Sequence, residues 1–143
     1  MNWIQQLQKL SADVDFIPPA SLAVIDEAER ALGGVPPELK ELLKITNGLV
    51  CRSFRLFSVF DHTRTKKTWD SLQRANDTEK TNALGGDKDL LSRFLVFADI
   101  GNGFAVWDRT DGTIWFEENG SQDLVQTDLS LREFVELMVI NAV

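Results

Sequence analysis

Between Asp99 and Phe116 the chain reads DIGNGFAVWDRTDGTIWF, three glycines and three aspartates set among aromatic residues. Two kinds of chemistry use such residues: glycine loops expose backbone amides to a phosphate, and clustered carboxylates hold a hard cation. A phosphate loop requires glycines that lead into a lysine and a hydroxyl at a helix start, whereas Gly101-Asn102-Gly103 precedes a strand pattern. The double glycines of ALGGVPPELK and NALGGDKDLL lack that arrangement too. For a cation, Asp99, Asn102, Asp108 and Asp111 could gather at the turn end of a meander and bind calcium, or could serve as ordinary turn residues. Their spacing matches no alternating-ligand loop.

Other catalytic sets fall short sooner. One histidine, His62, and one cysteine, Cys51, cannot build a zinc site. Cys51 reads as a half-buried thiol. His62 follows Asp61, which could hold it as a base, but no serine elbow or cysteine partner accompanies the pair, so a surface or strand-end histidine is expected. Acid–base work needs two carboxylates in unlike environments facing one cavity. Glu117 and Glu118 are adjacent at a strand end and should point to opposite faces. No catalytic residue, metal set or cofactor loop is expected.

The elements that would position these groups follow from spacing. Trp3, Ile4, Leu7 and Leu10 recur at helical intervals over Asn2 to Ala12, and FIPPAS then breaks the helix, because proline lacks an amide donor. Ser21 can cap a second helix with Leu22, Ile25, Ala28 and Leu32 inward, ended by Gly33-Gly34. Pro36 or Pro37 opens a third helix, with Leu39, Leu42 and Leu43 inward and Asn47-Gly48 as its left-handed stop. Between Leu49 and Ser92, FRLFSVF alternates as a strand and KKTWDSLQRAN suits a short helix carrying Trp69 and Leu72. NDTEKTNALGGDKD reads as an exposed loop.

From Arg93 onward, FLVFA suits a central strand, and FAVW and TIWF suit its neighbours, joined by glycine turns at Gly101-Asn102-Gly103 and Thr110-Asp111-Gly112. That meander is a sufficient structural reason for the opening motif. Trp107 and Trp115 share a face or not depending on register, with burial under a helix the expectation. Ser130-Leu131-Arg132-Glu133 forms a capping box, with Leu129 and Phe134 as its staple and Leu131, Phe134, Val135 and Met138 on one face. The expected architecture is α+β, with N-terminal helices and a C-terminal helix packed on a largely antiparallel sheet that ends in a three-stranded meander.

At 143 residues, 43% hydrophobic and 26% charged, the chain is expected to form a single domain over 1–143. A formal charge of −7 disfavours nucleic acid as a ligand, since phosphates demand basic surface, and leaves room for a basic protein partner. The N-terminal stretch lacks a basic, then apolar, leader, and no run of 18 apolar residues occurs, so a cytoplasmic protein without membrane contact is expected.

Across Glu27 to Gly48, EAERALGGVPPELKELLKITNG resembles the hallmark of the SUKH superfamily, named in part after a fungal cell-wall regulator. The matching positions are Glu29, Leu32-Gly33, Val35-Pro36 and Asn47-Gly48. FLVFADIGNG, DGTIW and LSLREFVELM are similar to later family motifs, so the likeness spans about 21–138. It departs in the short Gly33–Val35 spacing and in a leucine, Leu39, at a usually aromatic place. The resemblance implies a non-enzymatic, cytoplasmic immunity protein that binds and neutralises a cognate toxin domain, possibly a nuclease, without a cofactor. It also implies an alternative, a regulatory or scaffold module of the fungal kind. Contact residues are then expected in the irregular, acid-containing segments, at Asp61, Trp69, Asp87, Asp89, Glu117 and Glu118.

Overall fold

A computed structural model describes residues 2–77, 88–117 and 123–143. Their order is α1 (Trp3–Leu10), β1 (Val14–Phe16), α2 (Leu22–Leu32), α3 (Pro37–Ile45), β2 (Leu49–Cys51), β3 (Phe54–Leu56), α4 (Leu72–Ala75), α5 (Lys88–Arg93), β4 (Phe94–Asp99), β5 (Phe104–Asp108), β6 (Ile114–Glu117), β7 (Leu124–Gln126) and α6 (Leu131–Asn141). The strands lie in one sheet in chain order, every neighbour antiparallel. The meander therefore extends across the whole sheet, and FLVFA is the fourth of its seven strands. The fold is α+β, as the residue patterns require.

The helix ends follow their caps. Ser21 Oγ accepts from the Val24 amide at the start of α2, and Gly33 closes that helix at φ +73. On α6 the Ser130–Glu133 box is complete, and the Glu38 carboxylate of α3 accepts from the Leu131 amide. Two neighbouring chain segments thus satisfy amides that a helix start leaves without partners.

Four local expectations are corrected. Leu22 is 63% exposed, because only Ile25 and Ala28 of α2 turn fully into the core. Helix α3 stops at an extended Thr46, and Gly48 serves a different purpose. Its φ is +86, and a Cβ there would come within 2.5 Å of the Leu56 carbonyl, so the chain needs glycine to pass β3. FRLFSVF is strand only at Phe54–Leu56, and Trp69 precedes α4 instead of riding on it. The strands β1 and β7, three residues each, carry too little alternation to be read. Of the polar stretch NDTEKTNALGGDKD, residues 78–87 lie outside the described residues, and Lys88 begins α5.

Register settles the tryptophans. Trp107 faces Ile114 and Trp115 faces Val106 across the β5–β6 pair, so the two indoles lie on opposite faces of the sheet. On the Trp107 side, α6 seals the core, with Phe134 edge-on to Phe97 at 5.8 Å. On the Trp115 side, Arg93 at the end of α5 reaches over the indole, 5.9 Å from its centroid, and α4 lies beside Asp99 and Phe104 of the same face.

Candidate protein-docking surface

The segment from Phe57 to Ser71 has almost no regular structure, yet it is held from below by a buried polar network. Asn47 imitates a strand: its Nδ2 donates to the Val59 carbonyl at 2.9 Å, and its Oδ1 accepts from the Val59 amide at 2.8 Å. Ser58 Oγ donates to the Asn47 carbonyl at 2.6 Å, and the Ser58 carbonyl accepts from the Leu72 amide. At the outer end, Thr68 Oγ1 accepts from the Asp61 amide and donates to the Arg64 carbonyl. The backbone is thereby fixed without strands, and Trp69 is held at its crest.

Trp69 is 55% exposed, with the Arg74 guanidinium 4.7 Å from its ring centroid. Arg74 and Ser71 form a ridge between two open grooves. The outer groove, about 510 Å³, runs along Glu27, Ala31, Phe60, Gln73 and Asp77 beside Trp69. The inner groove, about 300 Å³, is bounded by Arg55, Phe57, Asp70, Ala75, Asp99 and Phe104. Asp70 ties both arginines, 3.1 Å from Arg55 Nη1 and 3.8 Å from Arg74 Nη1. The inner groove sets two carboxylates, Asp70 and Asp99, against two guanidiniums, Arg55 and Arg74. The outer groove adds Asp77 and Glu27, which pairs with His62, and Lys66 lies on the other side of Trp69. Tryptophan and arginine side by side in a partly desolvated setting are the residue types that carry most binding energy at interfaces.

A third hollow, about 310 Å³, lies where Pro36, Leu39, Trp107, Ile114 and Leu131 meet. Its carboxylate, Glu38, is already engaged with the start of α6. It offers apolar wall and little to orient a ligand.

The structure separates the residues expected to make contact. Trp69 stands at the crest. Asp61, expected to be exposed, is 7% exposed and works inward, its Oδ1 accepting from both the amide and hydroxyl of Thr63. The Thr63 hydroxyl and amide hold its carboxyl below the ordinary range, with help from Arg64. Glu117, also expected outside, is 5% exposed, and burial pushes its carboxyl up, with the charge of Asp99 adding to the effect. Asp89 is exposed on α5 and does not line either groove. Asp87 and Glu118 lie outside the described residues. The groove residues Arg55, Asp70, Arg74 and Asp99 were not legible as a set, because three separate segments bring them together.

Geometry also disposes of the calcium arrangement. Asp99 sits opposite Phe104, and Asp108 ends the same strand, about 13 Å along it at strand spacing, so these two carboxylates cannot share an ion. Asp108 is fully buried and bonded to Arg93 Nη2 at 2.9 Å. Burial works against its charge, but Thr110 and Arg93 together outweigh it and hold the carboxyl below the ordinary range. Asp99 and Asp111 each accept a bond from their own turn, at the amides of Gly101 and Thr113. Cys51 is fully buried, and His62 is exposed, 3.2 Å from Glu27.

Residues 19–137 match the SMI1 / KNR4 family (SUKH-1). No curated protein matches the chain. Among the described residues no helix is long and apolar enough to cross a membrane.

Proposed function

The chain belongs to the SMI1 / KNR4 family (SUKH-1), and from that premise we propose that it is a non-enzymatic immunity protein that binds and neutralises the basic domain of a cognate toxin in the cytoplasm. The single observation that carries the reading is Trp69, a large indole kept outside the core on a segment that buried hydrogen bonds hold in place. A folded chain that needed this ring for stability would bury it. Preorganised aromatic surface loses little entropy when a partner arrives, which is what tight one-to-one inhibition requires.

Charge supports the same reading. A net charge of −7 steers a basic toxin domain toward the inhibitor, and a nuclease cleft is basic because its substrate is not. The regulatory-module alternative also uses protein binding, and differs in the partner.

Affinity capture from the native organism at low salt, with the tagged full chain, tests the function. The expected result is one stoichiometric partner whose C-terminal domain kills when expressed alone and is harmless when co-expressed with this protein. Capture of endogenous signalling or envelope-assembly proteins alone would replace immunity with the regulatory role.

A further inference from the structure

Arg93 shows how this sheet holds a guanidinium. Its head lies 4.8 Å from the Phe94 ring centroid and 5.9 Å from that of Trp115, and it is bonded through both Nε and Nη2 to the buried Asp108 carboxylate. Phe94, Asp108 and Trp115 share one face of the sheet, since Phe94 pairs with Asp108 and Trp115 with Val106.

At the opposite end of β4 and β5 the same face repeats these ingredients. Phe104 pairs with Asp99, and its ring stands 6.5 Å from Phe57, forming the aromatic wall of the inner groove. Glu117, two residues beyond Trp115, packs behind them so closely that a Cβ on Gly103 would meet its own Cβ at 2.7 Å. No salt bridge reaches Asp99 or Glu117 among the described residues. Arg55 is the cross-strand neighbour of Asp99, but its guanidinium turns to Asp70. One end of the face has its cation supplied by the chain. The other end has the aromatic wall, Asp99 and an open groove whose own guanidiniums, Arg55 and Arg74, are held by Asp70.

We propose that the inner groove seats an arginine side chain from a basic segment of a protein partner, its guanidinium over Phe104 and paired with Asp99, while Trp69 covers the same segment from beyond the Arg74 ridge. Arginine fits better than lysine, because a planar guanidinium can stack and bridge a carboxylate at once. Within the inner groove Asp70 is already taken by Arg55 and Arg74, so Asp99, which no salt bridge reaches among the described residues, is the carboxylate left to select a cationic side chain. The inference rests on the reading of the chain as a protein-binding inhibitor and names the chemistry of what it grips.

The test titrates the isotope-labelled full chain with a hexa-arginine peptide at physiological salt, followed by amide NMR, with hexalysine in parallel. Saturable shifts are expected at Arg55, Asp99, Gly103 and Phe104 and at the Trp69 indole, with hexalysine weaker. Asp99→Asn keeps an acceptor for the Gly101 turn and should weaken hexa-arginine binding at least tenfold at a melting temperature no lower than that of the native chain. Asp111→Asn, which removes an equal charge from a distant turn, should leave binding intact. Equal loss in both variants, or shifts outside the groove, would overturn the proposal. If a captured toxin binds the Asp99→Asn variant as tightly as the native chain, the arginine seat fails and immunity stands. If hexa-arginine seats as described while no toxin is neutralised, the seat stands and immunity fails.

Discussion

At the scale of single residues, the carboxylates divide by what surrounds them. Asp61, Asp99 and Asp111 each take a bond from the amide two positions on, the ordinary work of aspartate in turns. Glu117 is different, because burial, helped by the nearby charge of Asp99, favours its neutral form and outweighs the Phe104 amide, whose hydrogen bond favours the charged one. Its folded proton affinity exceeds the unfolded one, so the folded chain binds more protons and stability falls as pH rises through the window above the ordinary glutamate value. Glu117→Gln should therefore raise the melting temperature at pH 7, and the gain should disappear below about pH 4, where the native carboxyl is protonated whether folded or not. Thermal melts of both chains across that range check the sign, and an equal or lower melting temperature for the variant at pH 7 would contradict it.

At the scale of elements, the family motif and the candidate docking surface occupy different residues. Glu29 accepts a bond from Lys40 of α3 at 2.9 Å, Gly33 closes α2, and Asn47 pins Val59. These are architectural tasks, which explains why the motif identifies the fold and leaves the partner unnamed. Asn47 also links the two, since the loop it holds carries Trp69. Asn47→Ala would leave both the amide and the carbonyl of Val59 without partners in a buried place, at a cost of about 2–4 kcal/mol. Denaturant unfolding should show the midpoint falling with an unchanged slope. A loss under 1 kcal/mol would mean that the loop is held by other means.

At the scale of the whole molecule, acidity acts at a distance. Seven excess negative charges set a field that a basic partner feels before contact, within a screening length of about 10 Å at 0.1 M salt. Association with the proposed basic toxin domain should slow at least tenfold between low salt and about 0.5 M, while dissociation changes little. Stopped-flow rates measure both, and an association rate indifferent to salt would remove electrostatic steering from the account.

The sequence by itself determined the helix limits at Ser21, Gly33 and Ser130, the strand class of Phe94 to Glu117 and the family motif. Each depends on groups within a few residues of one another: a cap, a left-handed glycine, or an alternation of period two. Tertiary structure alone decided that Trp107 and Trp115 face opposite ways, that Asp61 and Glu117 are buried, and that Leu22 is not. It also decided that Arg55, Asp70, Arg74 and Asp99 line one groove. Those outcomes depend on strand register and on segments that meet across the sheet, and a shift of one residue in register would exchange every inward side chain for its outward neighbour.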